Sequence, residues 1–136
     1  MATRFSLRTT APKQCIEITD RVRQIVRSSG VQRGLCHVMA LHATAAIVIN
    51  ENADPNIGVD LLVALGRAVP EHAGWLHDRI DNNAQAHILA AILGPSETLP
   101  VDAGDLLLGT WQGILLVELD GPRAERTIAV TILPAR

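Results

Sequence analysis

Residues 113–119 read Gly-Ile-Leu-Leu-Val-Glu-Leu. Four successive apolar residues, closed by the turn signal Asp120-Gly121-Pro122, point to a strand covered on both faces. Working outward, Leu99-Pro100-Val101 and Leu106-Leu107-Leu108-Gly109-Thr110-Trp111 precede it, and Arg126-Thr-Ile-Ala-Val-Thr-Ile132 follows. These β runs are punctuated by Gly-Asp, Gly-Thr and Asp-Gly-Pro turns and are not in strict alternation with helices. An α+β arrangement is therefore favoured over a doubly wound parallel sheet. The apolar run 106–108 also reads as a strand covered on both faces. In a chain this small, part of that cover can come from a neighbouring subunit.

The N-terminal half completes the pattern. Residues 3–9 alternate, with Phe5 and Leu7 on one face of a half-exposed strand, and Gln14–Ile18 form a second short strand. Thr19 reads as the N-cap of a helix carrying Asp20 in its first turn and Val22, Ile25 and Val26 on one face, stopped by Gly30. Residues 34–40 and 43–50 read as neighbouring strands or one long bent strand. Asp54-Pro55 starts a helix that carries Val59, Leu62, Val63 and Val69 and ends at Pro70. Residues 71–82 are polar and irregular. A third helix over about 83–93 is expected to bury Ile88, Ala91 and Ile92 before Gly94-Pro95.

The 136 residues fit one domain, 1–136, long enough to bury a core without staples. A net charge of −2 and three aromatic residues leave neither a basic face nor a stacking platform for nucleic acid. The chain shows no apolar run long enough for a membrane span, and its first residues do not read as a signal peptide. Cys15 and Cys36 lie apart in apolar stretches and read as free thiols, so a cytoplasmic setting is expected.

Function is sought where polar groups interrupt apolar structure. His42-Ala43-Thr44 separates two β runs, and Asn50-Glu51-Asn52 ends the second. Asp60 lies on an otherwise apolar helix. His77-Asp78 follows Trp75, His87 flanks an apolar stripe, Thr110-Trp111-Gln112 cuts into a buried-looking strand, and Glu118 interrupts Leu116-Val117-Leu119. Each has a bland reading as well: a hydrogen-bonded structural histidine, a carboxylate pointing to solvent from an edge strand, the solvated side of a hairpin. His37 and His72 stay with the bland reading. The spacing of His42, His77 and His87 is too wide to be a metal signature by itself, and no H-E-x-x-H, P-loop or dinucleotide fingerprint occurs.

Taken together, His42–Pro55, Asp60, Trp75–Asp78, Asn82–Ile88, Gly109–Gly113 and Glu118 within Val-Glu-Leu-Asp-Gly-Pro-Arg resemble the YjbQ-like proteins, also described as secondary thiamine-phosphate synthases. The family usually has threonine directly after the histidine; here Ala43 intervenes and Thr44 follows. The resemblance implies an α+β domain with a mixed or antiparallel β-sandwich-like sheet core and two to three helices, assembled as a homotrimer. It also implies a polar cleft at His42, His77 and His87, with a divalent metal there in some members. The implied activity joins a pyrimidine pyrophosphate to a thiazole phosphate with loss of pyrophosphate.

Three neutral imidazoles around zinc or magnesium would leave open positions, as catalytic sites require. Glu118 or Glu51 is then the candidate acid/base, and Asp60 the carboxylate orienting a histidine. Asn50, Thr110, Gln112 and Arg126 are the candidate substrate-binding residues, with Arg123 a second nearby cation. Arginine's fork suits the oxygens of a phosphorylated metabolite. A metal-dependent hydrolase using the same site and a non-catalytic module holding a phosphorylated ligand are the alternatives.

Overall fold

The strand signals resolve into two antiparallel sheets in a computed structural model that describes residues 2–136. In chain order the elements are β1 Ala2–Leu7, β2 Gln14–Glu17, α1 Thr19–Ser29, β3 Gly34–Ala40, β4 Ala45–Glu51, α2 Pro55–Ala68 and a 3₁₀ turn Leu76–Arg79. Then follow α3 Ala84–Leu93, β5 Ser96–Asp102, β6 Asp105–Leu106, β7 Gln112–Glu118 and β8 Arg126–Pro134. The larger sheet runs β1-β8-β3-β5-β6 and the smaller β2-β7-β4. This is the expected α+β sandwich with three helices.

Strand β7, the stretch that decides the fold, is central in the smaller sheet and buried from Gly113 through Glu118. Because successive side chains alternate faces, Ile114 and Leu116 join β4's Ala45 and Ile47 in the core between the sheets, against Cys36, Val38, Leu99, Ile128 and Val130. Val117 and Ala46 face the other way, against Ala86, Leu89 and Ala90 of α3, with Leu62 and Leu65 of α2 beside them. Each such fully buried aliphatic side chain contributes about 1.5–3 kcal/mol relative to exposure. The larger sheet has no helical cover on its outer face, where Leu35 and Leu133 stand opposite each other, 45% and 63% exposed. Among the described residues no helix is long and apolar enough to cross a membrane.

Several local expectations are corrected. The runs at 34–40 and 43–50 are neither neighbouring strands of one sheet nor one long bent strand: β3 and β4 belong to different sheets, and the His42-Ala43-Thr44 corner carries the chain between them. Thr19 begins α1 but does not cap it; its hydroxyl accepts the Ile114 amide at 2.8 Å, joining the helix to β7. Asp54 does cap α2, accepting the Asn56 amide at 2.9 Å with Pro55 at the first turn. Gly30, with φ 72°, ends α1 in the left-handed conformation. Helix α3 buries Leu89 and Ala90 instead of Ala91 and Ile92, the latter 63% exposed. The run 106–108 supplies only the two-residue β6 and leaves Leu107 exposed. Thr110 and Trp111 lie in an exposed turn ahead of β7, not inside a strand.

Candidate functional site

The corner between the sheets is fixed by charge. Glu118 is fully buried on β7 and Arg126, at the start of β8, is 3% exposed. Arg126 donates Nε to both Glu118 oxygens at 2.9 and 3.1 Å, and its Nη2 also reaches Oε2. The same Nη2 donates to the backbone oxygen and hydroxyl of Thr44 at 3.1 and 3.0 Å. Thr9 donates its hydroxyl to Glu118 Oε1 at 2.6 Å, and the Leu119 and Asp120 amides donate to Oε2. Burial pushes the Glu118 carboxyl up, but the hydrogen bonds from Arg126, Thr9 and the Asp120 backbone outweigh it and hold the group below its ordinary value. Glu118 therefore stays ionised, with its oxygens engaged. The carboxylate expected to serve as acid/base is a structural anion, and the arginine expected to clamp phosphate has its Nε and Nη2 committed to it. Nor is Glu118 on an edge strand: β7 is central.

This pair anchors His42. Thr127, adjacent to Arg126, donates its backbone N–H to His42 Nε2 at 2.7 Å. Leu41 donates its amide to the Thr127 oxygen at 3.0 Å. Burial lowers the His42 pKa, the Arg126 charge lowers it further against an upward pull from Glu118, and Arg123 adds to the lowering.

His42 and His87 line one cleft of about 280 Å³, walled by Ala43, Ala45, Ala90, Ala91 and Pro95. His87 sits in the first turn of α3, whose Ala84 amide is accepted by Asp78 Oδ1 at 2.9 Å. On its other side, His87 meets the His77 ring edge-to-face, with centroids 4.8 Å apart and planes at 87°. His77 comes from the 3₁₀ turn; its Nε2 is shut from solvent and has no hydrogen-bond partner among the described residues, with Asp81 Oδ2 3.8 Å away. His87 thus touches the His77 ring and lines the same cleft as His42. The three do not enclose an ion: among the described residues no group of three or more His, Cys, Asp or Glu is arranged to hold a metal. His42 Nε2 already accepts a backbone N–H. The arrangement does not fit the expected three-histidine metal centre.

The remaining candidates lie elsewhere. Ala45 pairs with Glu118 at one end of β4 and Glu51 with Gln112 at the other. At about 3.4 Å per residue this carries Glu51 about 20 Å from Ala45. Glu51 faces a separate groove with Cys15, Glu17 and Asp54. Asn50 accepts the Glu51 amide through Oδ1, and Gln112 accepts the Gly109 amide through Oε1, both local contacts at 2.8 Å. Thr110 is exposed in the turn at that far end. Asp60 is exposed on α2 and bonds no histidine, so it orients none. Arg123 is paired to Asp120 at 2.7 Å.

Comparison with known proteins decides the family. The model of the UPF0047 protein YjbQ-like family matches residues 3–135. The chain belongs to the YjbQ-like family. Among its YjbQ-like relatives, a UPF0047 protein of Methanothermobacter thermautotrophicus is 44% identical over 120 residues, covering 88% of this chain and 83% of that one. The UPF0047 protein YugU of Bacillus subtilis is 36% identical, covering 88% and 89%. The crystal structure of a YbjQ-like protein of unknown function from Sulfolobus solfataricus matches with a TM-score of 0.96 at 41% identity, covering 99% of this chain and 97% of that one.

Within this YjbQ-like fold, sequence reasoning singled out the His42-Ala43-Thr44 interruption, Glu118 and Arg126 but not the bonds that join them. It missed Thr9, which carries no motif. Displaced by one place from the family's usual threonine, Thr44 still has a defined role as an acceptor for Arg126. Asn83 and Gln85 lie in the Asn82–Ile88 stretch, and among the described residues their side-chain oxygens are buried without a partner.

Proposed function

We propose that the chain is a small enzyme acting on a phosphorylated metabolite at the His42–His87 cleft. Its nameable reaction is the one attached to the family it resembles, joining a pyrimidine pyrophosphate to a thiazole phosphate with loss of pyrophosphate. One observation carries this reading: His87 is shared between the cleft lined by His42 and the ring of His77, whose Nε2 is shut away unbonded. Buried polar atoms are nearly always hydrogen-bonded, so an unbonded imidazole nitrogen beside a second histidine is a feature stability does not account for.

The small walls of Ala43, Ala45, Ala90 and Ala91 support a flat heterocycle lying beside the imidazoles. In this reading the histidines orient the pyrimidine ring and its departing pyrophosphate, which leaves as the thiazole nitrogen bonds to the pyrimidine's methylene carbon, and no step passes through a metal. The homotrimer implied by the family resemblance is part of this reading.

The test is His42→Ala assayed with both substrates, with folding checked separately. A fall of about 100-fold or more in kcat/KM, the range for loss of an oriented polar group at the reacting centre, is expected; an unchanged value overturns the reading. Rapid pyrophosphate release without the thiazole acceptor would make the protein a hydrolase instead. Light scattering should give three times the 14.6 kDa chain mass, and a monomer at micromolar concentration would end the trimer proposal.

A further inference from the structure

We infer that the fold holds His42 as the neutral Nδ1–H tautomer, so that it presents a fixed hydrogen-bond donor to an oxyanion in the cleft and is neither a metal ligand nor a general base. The geometry starts at Thr127. A backbone N–H can only donate, so Nε2, 2.7 Å away, must be the unprotonated nitrogen, and a neutral ring then carries its hydrogen on Nδ1. Nδ1 has no hydrogen-bond partner among the described residues. The lone pair that a metal or a proton would need is the one already occupied.

The ring cannot easily adopt another role, because its segment is tied to β8 on both flanks. Leu41 donates to the Thr127 oxygen before it, and Arg126 donates to Thr44 after it. Arg126 is itself seated on Glu118 of β7. Glu118 and Arg126 are thus positioning residues, acting on the ligand through the 126–127 backbone and through Thr44. The charged and titratable groups around His42 are Arg126 and Arg123 before and at the start of β8, Glu118 from β7, and His87 from α3 across the cleft. Protonating the ring would set a second N–H against that of Thr127, and burial and both arginines oppose the added charge. A donor in this surrounding suits a negatively charged oxygen. Only the choice of a phosphoryl oxygen rests on the phosphorylated-metabolite reading above.

The test uses the full chain labelled with ¹⁵N, with imidazole nitrogens followed from about pH 8 to about pH 6, across the ordinary histidine range. The His42 resonances, assigned by their loss in His42→Gln, should be pyridine-type at Nε2 and pyrrole-type at Nδ1 at about pH 8 and should keep that pattern to lower pH than an ordinary histidine. Zinc chloride should leave them in place, and inorganic phosphate should shift the Nδ1–H proton. Glutamine can still accept from Thr127 and donate to an anion, so His42→Gln should bind phosphate within about 3-fold of wild type. His42→Leu should weaken binding about tenfold or more, the loss expected for a hydrogen bond to a charged group. An Nε2–H ring, a zinc-dependent shift at Nε2, or a glutamine variant as weak as leucine overturns the inference. Should the leucine variant unfold, the wild-type spectra and the glutamine variant decide. Failure of the pyrimidine–thiazole reaction would leave these readouts untouched, since none uses those substrates.

Discussion

Arg126 and Glu118 form a charge pair with almost no solvent contact: the carboxylate is fully buried and the guanidinium 3% exposed, joined through both Nε and Nη2. The desolvation of two ions is offset here by direct pairing and by the added donors Thr9, Leu119 and Asp120 and the acceptor Thr44. Taking away one partner strands the other. Arg126→Met or Glu118→Leu alone should cost about 3–5 kcal/mol in urea denaturation. The double variant Glu118→Leu with Arg126→Met should lose less than either single change, because no charge is left buried. Additive losses would show that the pair is not a unit.

Stability should depend on pH in two separate steps. His42 has its pKa lowered from 6.5, so below that value the unfolded chain binds a proton the native protein refuses, and stability falls as pH falls. Glu118 is lowered from 4.5; its contribution is complete above that value and is lost as pH drops further, through its native pKa. Denaturation midpoints measured against pH should therefore decline below 6.5 and again below 4.5. His42→Gln should flatten the first decline and leave the second. A first decline that persists in that variant would assign it to another group.

Helix α3 offers a direct check on which face is buried. Leu89 is 1% exposed and packs under Val117 and Leu119, whereas Ile92 is 63% exposed. Leu89→Ala should cost about 2–5 kcal/mol and Ile92→Ala within about 0.5 kcal/mol. Thermal melts of the two variants distinguish the faces, and equal losses would put the helix in a different rotation.

At His77 the expectation runs the other way. Its Nε2 is enclosed without a partner, a cost of about 1–3 kcal/mol that a like-shaped apolar ring avoids. His77→Phe should keep the edge-to-face contact with His87 and melt at or above the wild-type temperature while turnover falls. A variant that melts lower would mean that His77 is bonded in solution and serves stability.

Much of the local structure was legible along the chain. The alternation of Phe5 and Leu7, the stop at Gly30, the Asp54-Pro55 helix start and the unbroken apolar run at 114–117 all act through the backbone and nearest neighbours. Each appears where expected. The helix over 84–93 was placed correctly, but its buried face was not. Ala and Ile/Leu positions surround α3 on every side, so periodicity offers no single stripe to choose, and packing on β4 and β7 makes the choice.

The site divides along the same line. The sequence by itself marked His42, His77, His87 and Glu118 as polar groups interrupting apolar structure, and Arg126 as a cation close to Glu118 along the chain. Only the tertiary structure decided that Glu118 belongs to Arg126, that Arg126 reaches Thr44 82 residues away, and that Thr127 closes on His42. It also sent Asn50, Glu51 and Gln112 to the opposite end of the β4–β7 ladder. The physical reason is register. A strand states which face a side chain takes, but which partner stands opposite depends on sheet pairing between distant segments, and a buried ion settles on whichever counter-charge that pairing brings within hydrogen-bond reach.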